Sequence, residues 1–207
     1  MAENDGDRRR DEGRNVWLNE DFRRIAEARL PEWDEIPNLE LYMDQVISYV
    51  TEMLQAFMPA GDGKIVTASM VNNYVKKGVM PSPVKKRYKR THVAYLFMIL
   101  IAKSELQLRE ISLLLELVRE DLRAQDAAAV QDPKKDTERL CRVFLTVYSR
   151  ARLVVFSGKN ESHTDYEHAD DIASVRALYW ICLTGCARTR SVLQVQDLAA
   201  DFNKDRK

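Results

Sequence analysis

From residue 39 onward the apolar residues fall at helical intervals. Leu39, Tyr42, Met43, Val46, Ile47, Val50, Met53, Leu54 and Phe57 recur at i, i+3, i+4 and i+7. Side chains three and four apart share one face of a helix, so this spacing predicts an amphipathic helix ending near Met58. The run Pro59-Ala-Gly-Asp-Gly63 breaks it. With only seven Gly and six Pro in 207 residues, the punctuation that short strands need is missing. The fold class expected is therefore mainly α, and a hydrophobic fraction of 45% is ample for a core.

The same reading gives the other elements. Residues 15–30 predict a short helix before Pro31, and residues 31–37 a connector. A helix is expected over residues 67–77, with Thr67 or Ser69 near its cap and Gly78 as its stop. Pro81 and Pro83 forbid a helix directly after it. Residues 93–103 are dense in apolar side chains and predict a buried helix. Leu108, Ile111, Leu114, Leu115 and Val118 mark the next amphipathic one. Residues 124–133 are expected to be a linker. Helices over residues 136–156 and 170–187 follow, separated by a loop at 157–168, with a short closing helix at 192–202. The resulting organisation is a disordered tail at 1–14, a module at 15–122 and a C-terminal helical region at 134–207 that dimerises or senses an effector.

Composition removes several classes. The first residues, MAENDGDRRRDEGR, are charged and carry no apolar run, unlike a secretory signal. The longest apolar run, residues 93–102, is about half of what a membrane helix needs. Cys141, Cys182 and Cys186 are an odd, sparse set, which suggests reduced structural thiols and a cytoplasmic protein. Catalysis would need converging acid, base, nucleophile or metal groups. His92, His163 and His168 are the only histidines, and there is no GxxxxGK[ST] or GxGxxG. His92 beside the basic segment is read either as a phosphate contact or as a surface residue without a role. The expectation is no enzyme, no cofactor and no metal.

Charge is where the chain is unusual. Residues 64–103 hold nine Lys and Arg and no Asp or Glu, in a protein whose formal net charge is zero. Such asymmetry points to a polyanion partner. Within the segment, Met70, Val71, Tyr74 and Val75 would pack inward. Ser69, Asn72, Asn73 and Lys76 fall on one polar stripe, with Lys77 beside it. Ser, Asn and Lys hydrogen-bond base edges and phosphates, and Asn pairs bidentately with adenine. Lys85, Lys86, Arg87, Lys89 and Arg90 then fit a short hairpin or wing that grips the phosphate backbone. Tyr88 is read as a packing residue at the start of the next helix.

The run Ser69-Met-Val-Asn-Asn-Tyr-Val-Lys-Lys-Gly-Val-Met-Pro81, followed by Lys86-Arg-Tyr88, resembles a MerR-type winged helix-turn-helix. Leu108-Arg-Glu-Ile111-Ser-Leu-Leu114 resembles the helix that follows in that family. Residues 30–117 resemble more closely the bacterial domain of unknown function 1836 family. The matching features are Leu41-Tyr-Met-Asp-Gln45, Thr67-Ala-Ser-Met-Val-Asn-Asn-Tyr-Val-Lys-Lys-Gly78 and Pro83-Val-Lys-Lys-Arg-Tyr88. The resemblance implies a MerR-like winged helix-turn-helix followed by a C-terminal helical region. Tyr74, Gly78 and Tyr88 would be its structural positions. It differs from ordinary MerR proteins at Asn73, where an Arg often precedes the Tyr, and at Lys89, where a capping Ser is common.

The function expected is a cytoplasmic, sequence-specific transcriptional regulator that binds double-stranded DNA as a homodimer, with no membrane partner and an effector that the sequence does not name. The alternative is a protein-interaction adaptor that keeps the winged fold without binding DNA. An RNA-binding role is disfavoured because no aromatic stacking platform is evident.

Overall fold

The computed structural model describes residues 20–57, 64–125, 132–157 and 172–204. The expected tail, the break at 59–63, most of the 124–133 linker and nearly all of the 157–168 loop lie outside these residues. Seven α-helices are described: α1 (Glu20–Glu27), α2 (Met43–Gln55), α3 (Ala68–Lys76), α4 (Arg90–Ala102), α5 (Leu108–Gln125), α6 (Pro133–Ser157) and α7 (Ala173–Lys204). A single 3-10 turn, Trp33–Glu35, lies in the connector. No strand forms among the described residues, so the chain is mainly α, as its spacing predicts.

Helix α4 is the centre. Its sequence RTHVAYLFMILIA is apolar on every side, and the eight consecutive residues from His92 to Ile99 are all buried. A helix without a polar face is stable only when other elements surround it. Helices α2, α5, α6 and α7 all pack on it. The buried side chains form one cluster, from Leu30 and Trp33 through α4 to Tyr148 in α6 and Cys182 in α7. The two stretches expected as separate regions thus share a core.

Helix α6 starts at Pro133, where the missing N–H costs nothing, and Asp132 Oδ1 accepts the Lys134 N–H at 2.9 Å. The C-terminus corrects one expectation. The helices predicted at 170–187 and 192–202 are one continuous α7. Residues 187–191 contain no breaker, and Gly185 lies inside the helix, where it serves packing. A Cβ there would stand 3.3 Å from Ser104 Oγ, so glycine permits the close approach of α7 to the end of α4.

Buried polar groups tie the helices together. Asp136 on α6 is almost fully buried and receives Arg123 at 2.7 Å, with the Arg119 guanidinium at 3.6 Å. Arg119 also donates to the Tyr95 hydroxyl, whose titration burial pushes up to about 12. Arg152 on α6 donates to the Ile25 and Ala28 carbonyls at 2.5 and 2.6 Å, satisfying the C-terminal end of α1. Its guanidinium lies over the rings of Phe57 and Phe156.

Candidate nucleic-acid interface

Helix α3 is held at both ends by its own sequence. Thr67 Oγ1 accepts the Met70 N–H at 3.3 Å, the expected N-cap. At the other end the Gly78 N–H donates to Val75 O and the Val79 N–H to Tyr74 O, both at 3.0 Å. Gly78 has φ +70°, so this is a Schellman stop that a residue with a Cβ would strain. Buried Val79 and Met80 follow and pin the chain to the core. Val71 and Tyr74 are buried, while Met70 and Val75 are half-buried. Ser69, Asn72, Asn73, Lys76 and Lys77 are all exposed. The division between packing face and polar face is the one that the helical spacing predicts.

After Pro81 and Pro83 the chain makes a two-residue turn. The Arg87 N–H donates to Val84 O at 2.9 Å, and the central residues Lys85 and Lys86 have φ 48° and 61°. Two positive φ values in a tight hairpin define the I′ geometry that Asn-Gly favours. Two lysines occupy it here, at a cost of about 1–2 kcal/mol each. Tyr88 pairs with Leu41 through both backbone bonds at 2.8 Å, fastening the hairpin to the entry of α2. Tyr88 itself is buried.

The five basic residues of this stretch do not share one environment. Lys85 and Lys86 are exposed at the tip. The Arg87 guanidinium stacks 3.5 Å over the Tyr42 ring. Lys89 meets Glu40 at 3.6 Å, with both side chains more than half exposed. Arg90 belongs to α4, not to the turn; its side chain is 16% exposed, 3.4 Å from Asp34 and above the Trp33 ring. Arg142 also reaches Asp34, at 2.9 Å, and that hydrogen bond is the main reason the Asp34 carboxyl lies below the usual carboxylate range. The acid-free segment in sequence therefore acquires Glu40 and Asp34 as neighbours in space. Sequence spacing carries no sign of either contact, because both depend on the Leu41–Tyr88 pairing and on the packing of the connector.

His92 corrects another expectation. It is 4% exposed and cannot reach phosphate. Its Nδ1 accepts the Lys89 N–H at 2.8 Å, capping α4, and its ring meets Tyr88 edge to face at 5.4 Å. An accepting Nδ1 places the proton of the neutral ring on Nε2. Burial holds its pKa below the ordinary value.

Cys141, Cys182 and Cys186 are buried and not in disulfides. Burial raises all three thiols, Cys186 to about 11, so they are poor nucleophiles. Among the described residues no cluster of His, Cys, Asp and Glu could hold a metal, and no helix is long and apolar enough to cross a membrane. His163 and His168 lie outside these residues.

The fold and site define a mainly helical protein with an acid-free polar helix beside a basic two-lysine turn. The model of the family described as "Domain of unknown function (DUF1836)" matches residues 31–136, just over half of the chain. The chain belongs to that family. No curated protein and no solved structure matches it.

Proposed function

We propose that this chain is a sequence-specific DNA-binding transcriptional regulator of the MerR-like type. The observation that carries the reading is the outer face of α3. Ser69, Asn72, Asn73 and Lys76 are all exposed on one short helix that contains no acid, with exposed Lys77 at its C-cap. A helix of this kind fits the major groove with its donors and acceptors toward base edges. The Lys85–Lys86 tip is the phosphate anchor, with Arg87 and Lys89 at its sides. Tyr74, Gly78 and Tyr88 hold the two parts in register. In this reading the protein is cytoplasmic and works as a homodimer, since two-fold readers match two-fold operators.

A second reading has one specific observation behind it. Arg87, Lys89 and Arg90 already contact Tyr42, Glu40 and Asp34. A chain with so much of its wing charge engaged suits an adaptor that meets an acidic protein.

Gel-shift titration with duplex DNA at two salt concentrations separates them. A regulator binds duplex with affinity that falls steeply as salt rises, the slope scaling with the number of phosphates neutralised. An adaptor shows no retardation at any salt concentration.

A further inference from the structure

Behind the reading helix lies a cavity of about 440 Å³, within the range of small-molecule sites. It is walled by Leu54, Met70, Ile101, Tyr148, Phe156 and Val192, among others, so α2, α3, α4, α6 and α7 all contribute. Among the described residues its lining also includes Lys103, Arg152 and Arg188, and no Asp or Glu. An apolar chamber whose described wall carries three cations selects for an anion that carries an apolar body.

The three cations differ in what they already hold. Arg152 serves the carbonyls of α1. Arg188 donates to Ser104 O at 2.8 Å and lies 3.8 Å from Glu105, which stands outside the lining. Lys103 is exposed and touches only neutral partners among the described residues: the Tyr74 hydroxyl at 3.4 Å and the Tyr74 ring. It is the cation best able to turn toward a carboxylate.

We propose that this cavity binds a small organic carboxylate with an aliphatic or aromatic body, the carboxylate meeting Lys103 and the body lying among Phe57, Tyr148 and Phe156. Met70 and Tyr74 belong to α3, so the ligand sits directly behind the face assigned to DNA. That coupling rests on the proposed function; the binding itself does not.

Calorimetric titration of the full chain tests it without DNA. The probes are octanoate and phenylbutanoate, each beside its alcohol, octanol and phenylbutanol. Each acid binds about tenfold or more tightly than its alcohol, the difference a charge-assisted hydrogen bond makes. Lys103→Met brings the acid down to the level of the alcohol and leaves the alcohol unchanged, whereas Lys134→Met on α6 changes neither. Val192→Trp, at the half-open wall, weakens all probes, with circular dichroism showing each variant folded. Binding of neither acid, equal binding of acid and alcohol, or an acid preference that survives Lys103→Met overturns the proposal. So does binding that Val192→Trp leaves intact. Because no DNA is present, a chain that fails to bind DNA leaves these outcomes readable.

Discussion

The backbones of Leu41 and Tyr88 exchange two hydrogen bonds of 2.8 Å, and this single bridge joins the basic turn to the entry of α2. It sets the direction in which Lys85 and Lys86 project relative to α3. Leu41→Pro deletes one donor and leaves the Tyr88 carbonyl without its partner. The expected cost is about 1–3 kcal/mol in urea denaturation. If the turn anchors phosphate, duplex affinity falls for every sequence alike.

The turn is strained where it is most basic. Replacing Lys85 and Lys86 with Asn and Gly supplies residues that accept positive φ readily, and the double variant should be more stable by about 1–2 kcal/mol. The same change removes two cations, so the slope of log affinity against log salt becomes shallower by about 2. Gain of stability together with loss of affinity is the signature expected of strain kept for function. Denaturation and gel-shift titration on one preparation read both.

His92 makes stability depend on pH. Its folded pKa lies below the ordinary value, chiefly through burial, so the unfolded chain binds the proton more tightly. The stability it contributes is present above the unfolded value of about 6.5 and is lost as pH falls from there toward the folded pKa. His92→Asn offers an amide oxygen in place of Nδ1 and cannot titrate. Urea midpoints at neutral and mildly acidic pH should separate more for the wild type than for this variant.

Asp136 holds α6 against α5. Its carboxylate is buried against Arg119 and Arg123, and removing it loses their charge-assisted contacts while leaving two arginines that water reaches. Asp136→Ala should lower stability by about 1.5–3 kcal/mol, read as the shift of the urea transition. A change below about 0.5 kcal/mol would show that the network contributes no more than a surface pair.

The helices were legible because apolar spacing and caps act locally. Thr67 and Gly78 bound α3 where their chemistry places them, and its exposed stripe follows from the helical repeat. The buried character of α4 was equally plain, since no face of it is polar. Other features depend on contacts between distant residues. Glu40 reaches Lys89 only because Leu41 pairs with Tyr88, and Asp34 reaches Arg90 only because Trp33 is buried beneath it. His92 looked like a surface group beside basic neighbours, but its Nδ1 is used to cap α4. Gly185 is a point of close packing against Ser104, which helical spacing does not mark. The cavity is assembled from five helices, and no local pattern announces it.

In the proposed function the outer face of α3 reads sequence. Selection of bound fragments from a randomised duplex pool tests it most directly, with the wild type, Asn73→Ala and Lys86→Ala run in parallel. The wild type is expected to enrich one motif. Asn73→Ala loses preference at one base position, by about 1–3 kcal/mol, and Lys86→Ala weakens binding to all sequences alike. A folded wild-type protein that enriches no sequence contradicts it.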